Sequence, residues 1–212
     1  MAESSFTSAP ARRGRSAASA KGDKRARILR GAIQVFARKG FYTARVSDIA
    51  KAAGVADGTI YLYFKNKDDI LISLFEERFD HVIATLRAEL PALPDPVARL
   101  RHMVELQLGT MERHRDLAEV ITVNLRQSTR FLRQYAAPRF MQYLEIMSSV
   151  IADGQRDGSL RSDVNPLIVA RMIFGSIDGL ALTWALGSGT PGELSKAAAQ
   201  LTEVLVRGLH PS

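Results

Sequence analysis

Between Thr43 and Lys67 the chain concentrates side chains that could grip a polyanion. Thr43, Arg45, Tyr61, Tyr63 and Lys67 offer hydroxyls or cations to phosphate oxygens. Asp57, Thr59 and Leu62, with Gly58 among them, are placed to reach base edges: a carboxylate accepts from a cytosine amino group, and an aliphatic side chain meets a thymine methyl. Other chemistry is poorly supplied. The four histidines, His81, His102, His114 and His210, form no H-x-x-x-H pair, so no metal site is expected. The absence of Cys excludes disulfides, thiolate ligands and thiol nucleophiles, and is compatible with a reducing cytoplasm. There is no G-x-S-x-G. The G-x-G-x-x-G at Gly187 to Gly192 follows no strand, so it reads as a loop between helices rather than a dinucleotide site. Neither a catalytic residue nor a cofactor is expected.

The elements that must position Thr43 to Lys67 are short. Val46, Ile49, Ala50 and Ala53 recur at helical spacing and give one narrow apolar face. Gly54 stands where a left-handed residue stops that helix, and Val55 plugs the corner. Ile60 and Phe64 then point inward four residues apart, leaving Thr59, Tyr61, Leu62 and Tyr63 outside. Spacing alone allows two readings, a helix-turn-helix that presents its second helix outward or an ordinary helical hairpin inside a core. Charge favours the first. The net charge is +7, but residues 1–67 hold 14 Lys and Arg against 4 Asp and Glu, whereas residues 68–212 hold 15 against 18. A cationic head on a slightly anionic body suits a protein whose N-terminal part meets phosphates.

Three regions follow from this reading. Residues 1–21, rich in Ser, Ala and Arg without an apolar run, form a disordered basic arm or, alternatively, resemble a transit peptide. Residues 22–67 form the head and residues 68–212 the body. In the head a first helix over Ala26–Lys39 ends at Gly40, and Ala56 or Asp57 caps the helix after the turn. Asn66 opens a long fourth helix as an Asn-x-x-Asp capping box, with Lys67 in its first turn and Leu71, Phe75, Phe79, Val82 and Leu86 on its apolar stripe. Further helices are expected over residues 116–128 and 130–155, the latter started or kinked by Pro138 and ended by Gly154 and Gly158. Asn165-Pro166 opens the next, and Thr190 to Glu193 spells a full capping box for the last. With no alternating run anywhere, the fold class is all-α, nine helices. The most apolar stretch, Val164 to Leu186, is interrupted by Arg171 and Asp178, so no membrane span is expected.

The run GVADGTIYLYFKNKDDIL, with Gly40, Thr43, Ile49, Ala50 and Ala53 before it, closely resembles the TetR family of bacterial one-component repressors. That resemblance implies a cytoplasmic homodimer with an N-terminal operator-binding domain and a ligand-binding body. It is nucleoid-associated when bound, and its dimer closes through the last two helices. For the last point the resemblance points to Ile173, Ile177, Leu180, Ala181, Trp184, Leu201 and Leu205 as the interface. RMIFGSIDGLALTW and LRQS look like the members that regulate fatty-acid degradation and respond to acyl-coenzyme A. On that basis Met103, Leu106, Leu125, Met147 and Phe174 are expected to wall an apolar effector chamber, with Arg126, Arg130 and Arg133 meeting coenzyme A phosphates at its mouth. The alternative is the same repressor fold sensing another hydrophobic molecule, such as a drug removed by an efflux system.

Overall fold

The computed structural model describes residues 17–124 and 137–211, and among them every regular element is helical. The head comprises α1 (Ala17–Thr43), α2 (Val46–Ala53) and α3 (Asp57–Ile60). The body comprises α4 (Lys67–Glu89), α5 (Pro96–Arg113), α6 (Arg115–Glu119), α7 (Ala137–Asp157), α8 (Pro166–Leu186) and α9 (Glu193–Leu209). A single π-helical turn, Val120–Asn124, continues α6. The long first helix absorbs residues 17–21, which were expected in a disordered arm.

In the head, α1 crosses α2 over a core of Ile28, Leu29, Ala32, Phe36, Ile49, Ala50, Ala53, Ile60 and Phe64. Gly31 makes that crossing possible, because a Cβ there would lie 2.9 Å from the backbone nitrogen of Ala53. Gly54 does stop α2 in the left-handed region (φ 63°), and its N–H and that of Val55 return to the carbonyls of Lys51 and Ala50. Arg27 then closes the corner from α1, donating to the carbonyls of Ala53 (2.8 Å) and Gly54 (2.9 Å). Gly40 breaks α1 with φ 73° and ψ 161°, and the chain resumes helical conformation for one turn before α2.

α4 runs from head to body, burying Ile70, Leu71, Leu74, Phe75, Phe79, Val82, Ile83 and Leu86. Its Asn66 cap accepts from the N–H of Asp69 (2.9 Å), as expected of the capping box. Arg25 pairs with Glu77 to tie α1 to α4, and Arg139 pairs with Asp80 (2.8 Å) to tie α4 to α7. In the body α5 packs on α9 and α7, and α7 packs on α8. The described part of α7 runs from Ala137, beside Pro138, to Asp157. Gly158 (φ 80°) ends α7, but Gly154 is inside it: a Cβ at that position would sit 2.6 Å from the Leu160 side chain. Asn165 caps α8, accepting from Leu167 and Ile168.

The expected capping box of α9 is replaced. Its N-cap is Gly192 (φ 81°), and the carboxylate of Glu112 on α5 supplies the cap, accepting from the N–H of Leu194 (3.0 Å) and the hydroxyl of Ser195. Thr190 instead accepts the indole N–H of Trp184 through its carbonyl (3.1 Å). The Gly187 to Gly192 segment is indeed an α8–α9 loop, held by Arg115, which donates to the carbonyls of Gly187 and Ser188.

By length and composition α8 could cross a bilayer. Here Val169, Ala170, Ile173, Ile177, Ala181, Trp184 and Ala185 are buried against the other body helices. Burial of Ile173, Ile177, Ala181 and Trp184 within one chain also corrects their expected place in a dimer interface: they are core. The side of α8 left open carries Ile168, Met172, Gly175, Ser176 and Gly179.

Candidate nucleic-acid interface and effector site

The outer surface of the head is built on a rigid corner. Because Ile60 and Phe64 anchor the end of α3 inward, Tyr61 and Leu62 are forced out, 60% and 76% exposed. Asp57 and Gly58 are exposed beside them, while Thr59 and Tyr63 are half-buried, Tyr63 packing against the head core. On the neighbouring turn Thr43 and Arg45 are exposed. Tyr42, 71% exposed, joins them, although the sequence reading did not single it out. Its neighbours Phe41 and Ala44 are both buried, which leaves Tyr42 and Thr43 on the outer side of the turn.

Local caps hold this surface in shape. Ala56, not Asp57, is the N-cap of α3, and Asp57 occupies the first helical position. The Arg45 backbone N–H donates to Asp48 (3.1 Å), whose carboxylate also pairs with Lys39 (2.8 Å). The hydrogen bond from Lys39 holds the Asp48 carboxyl below the usual carboxylate range. Lys67 departs from its expected role. Its ammonium donates to the carbonyls of Phe41 (2.8 Å), Tyr42 (2.9 Å) and Ala44 (3.3 Å) and lies 4.7 Å from the centre of the Phe41 ring. An ammonium has three donors, and three carbonyls engage them.

The body interior joins apolar walls to a small polar group. Met103 and Met147 are fully buried, and Leu106 and Phe174 are half-buried. Phe174 faces Phe140 (4.6 Å between ring centres) and Tyr143 (6.1 Å), which in turn meets Phe79 (5.8 Å). These aromatic contacts link α4, α7 and α8. Gln107 donates to the buried Tyr143 hydroxyl, and burial pushes that phenol up well above its ordinary value. Arg78 lies close enough to Tyr143 to interact with it electrostatically. Residue spacing could have found both partners, since Leu71, Phe75, Arg78, Val82 and Leu100, Val104, Gln107, Met111 are each inward-facing series. Leu125, Arg126, Arg130 and Arg133 lie outside the described residues.

The body also links directly to the head. Asn124, buried at the end of the π turn, accepts the N–H of Phe41 (2.7 Å) just after the Gly40 break. On the far side, α8 and α9 frame an open groove of about 570 Å³ lined by Gly175, Ser176, Gly179, Leu180, Leu201 and Val204 among others. Leu205 is partly buried near it, on α9. Gly175 and Gly179 meet nothing within 4 Å of a Cβ position, so their smallness leaves room that this chain does not fill.

Residues 28–74 match the family model for bacterial regulatory proteins of the tetR family, and residues 75–208 match the C-terminal region of YsiA-like proteins. The fatty acid metabolism regulator protein of Bacillus subtilis (strain 168) is 35% identical over 190 residues, covering 90% of this chain and 97% of that protein. A crystal structure of the transcriptional regulator FadR from Bacillus subtilis in complex with stearoyl-CoA superposes with a TM-score of 0.81 at 34% identity, covering 87% of this chain and 99% of that one. The fatty acid degradation regulator FadR from Bacillus halodurans gives a TM-score of 0.83 at 34% identity, over 88% and 97%. With both head and body matched, the chain belongs to the TetR family of bacterial transcriptional regulators, proteins that bind DNA and are not enzymes.

Proposed function

We propose that the protein is a homodimeric repressor of fatty-acid degradation genes, released from its operator by long-chain acyl-coenzyme A. The observation that carries this reading is similarity over nearly the whole chain, body included, to a regulator captured with stearoyl-CoA. Buried Met103 and Met147, half-buried Leu106 and the Phe140–Phe174 ring pair supply the flexible apolar surface that would suit an alkyl occupant. A DNA-binding regulator of bacteria works in the cytoplasm; nucleoid association follows when the operator is occupied.

On DNA, Thr43, Arg45, Tyr61 and Tyr63, joined by Tyr42, hold phosphates, while Asp57, Gly58, Thr59 and Leu62 approach the bases. Lys67 serves as a positioning residue that fastens the Phe41–Ala44 turn to α4. The dimer closes over the α8–α9 groove, with Leu180, Leu201, Val204 and Leu205 meeting their counterparts. Two paths join effector to head: α4, whose tilt sets the roughly 34 Å spacing of the two heads, and the Asn124 bond to Phe41. An effector that favours the spread form weakens DNA binding by the same coupling, typically about 1–3 kcal/mol.

Titrating acyl-coenzymes of increasing chain length against the operator-bound dimer tests this. Release by long chains at concentrations where short chains leave the complex intact is expected. Release by none of them, with release by another hydrophobic compound, would move the protein to a different effector class.

A further inference from the structure

The recognition helix does not fix its own place. α3 is four residues long, Asp57–Ile60, and its N-cap, Ala56, gives the first turn no side-chain hydrogen bond. So short a helix is not stable on its own hydrogen bonds, and its position must come from what grips its two ends. Both grips come from arginines on α1. At the entry, Arg27 donates through Nη2 to the carbonyls of Ala53 (2.8 Å) and Gly54 (2.9 Å). At the exit, the guanidinium of Arg25 lies 5.4 Å from the centre of the Phe64 ring and pairs with Glu77 on α4.

The entry contact follows from helix chemistry. α2 ends with carbonyls that no later turn can satisfy. The N–H groups of Gly54 and Val55 take those of Lys51 and Ala50, and Arg27 takes that of Ala53, where a cation also suits the helix dipole. Gly31, one turn along the same face of α1 as Arg27, lets α1 come this close, its Cβ position lying 2.9 Å from the Ala53 nitrogen. Residues two apart on a helix point to different sides, so Arg25 and Arg27 can serve the two ends of α3 at once. Arg27 is exposed and Arg25 partly so, and water discounts what such contacts add to the stability of the fold. Choosing among nearby orientations of a short surface helix needs far less than holding the fold.

We propose that Arg25 and Arg27 are positioning residues for sequence recognition: they set the inclination of α3 in the major groove, although neither touches the DNA. The proposal rests on the head being the DNA-binding surface. Tyr61 and Leu62 leave the chain between the two grips. A change of tilt at either grip therefore moves them, with Asp57, Gly58 and Thr59, relative to the base edges. Thr43 and Arg45, on the turn before α2, reach phosphates from outside the gripped segment. Losing either arginine thus blunts discrimination between DNA sequences more than it weakens binding to DNA in general. Through Glu77, Arg25 also extends the grip to α4, the helix that ties head to body.

The test uses the full-length protein with Arg27→Met, Arg27→Lys and Arg25→Met, read by thermal melting and by fluorescence anisotropy over a salt series. Two probes are needed: a duplex that the wild type selects from a randomised pool, and a duplex of scrambled sequence. In Arg27→Met the selected duplex should bind about 10-fold more weakly, the scale of one lost base contact, while the scrambled duplex changes by less than about 2-fold. The salt slope should be kept. Arg27→Lys should recover most of the discrimination, because an ammonium can donate to the same two carbonyls. Arg25→Met should behave as Arg27→Met does, and covers the case in which the latter fails to fold. Equal weakening on both duplexes, with a slope lowered by about one, would make the residue a phosphate contact and overturn the proposal. Loss of folding in both methionine variants also overturns it, since the arginines would then hold the fold itself. A wild type that binds neither duplex sinks the DNA-binding reading along with the proposal. A wild type that discriminates, beside folded variants that discriminate equally, sinks the proposal alone.

Discussion

Replacing Lys67 by Met separates two roles that a cation at the start of α4 can play. As a phosphate contact, Lys67 would contribute to affinity through counterion release, and its loss would lower the salt slope by about one unit. As the structure places it, the ammonium holds three carbonyls of the Phe41–Ala44 turn at 2.8, 2.9 and 3.3 Å. Hydrogen bonds to a charged group are worth roughly 1.5–3 kcal/mol where water is excluded. Here the side chain is half-buried and the third contact is long, so the whole set is discounted to about 1–2 kcal/mol, including the cation–π contact with Phe41. For a chain of this size that corresponds to a fall in melting midpoint of about 2–8 °C.

The assay pairs thermal melting with fluorescence anisotropy on a duplex over a series of salt concentrations. Lys67→Met should melt lower and bind DNA more weakly, because Tyr42, Thr43 and Arg45 ride on the loosened turn. The dependence of log affinity on log salt should keep its slope. An unchanged midpoint with a slope lowered by about one would refute the reasoning and return Lys67 to the phosphates.

Asn124→Ala removes the acceptor of the buried Phe41 N–H and should destabilise the protein by about 1–3 kcal/mol. It should also reduce the effect of the effector on DNA affinity, which a ligand titration on operator-bound protein would read. Val204→Glu places a carboxylate in the α8–α9 groove and should yield monomers in analytical ultracentrifugation, with the helical content of the parent. At the start of α9, the Ser195 hydroxyl, aided by the Leu194 and Gly192 N–H groups, holds the Glu112 carboxyl below its ordinary value of 4.5. A depressed carboxyl gives stability that is complete above the unfolded value and is lost as pH falls through the folded one. Glu112→Gln should therefore melt lower than the parent at neutral pH, the gap narrowing below about pH 4.5 in pH-resolved melting.

Much of the head was legible because its signals are local. Gly54 adopts the left-handed conformation its position demanded, and Asn66 and Asn165 cap the helices that follow them. Ile60 and Phe64 turn inward and thereby expose Tyr61 and Leu62. What escaped depends on partners distant in sequence. Thr190 and Glu193 have the right spacing for a capping box, but Glu112 reaches α9 from α5 and takes the N–H groups first. Periodicity marks Ile173, Ile177, Ala181 and Trp184 as apolar without saying which neighbour covers them, and in the folded chain it is the other body helices. Lys67 likewise looks available until the Phe41–Ala44 turn folds onto it. Arg78 and Gln107 were visible as polar residues at inward positions; an apolar stripe draws the eye to what continues it rather than to what interrupts it.

The proposed regulation rests on one coupling, between duplex on the head and an acyl chain in the body. It is measured most directly by determining the affinity of the full-length dimer for stearoyl-CoA twice, alone and saturated with operator duplex. The two affinities should differ by the same factor, about 5- to 150-fold, by which stearoyl-CoA weakens operator binding. Equal affinities in the two states, with stearoyl-CoA bound, would contradict the coupling and leave the ligand without a regulatory role.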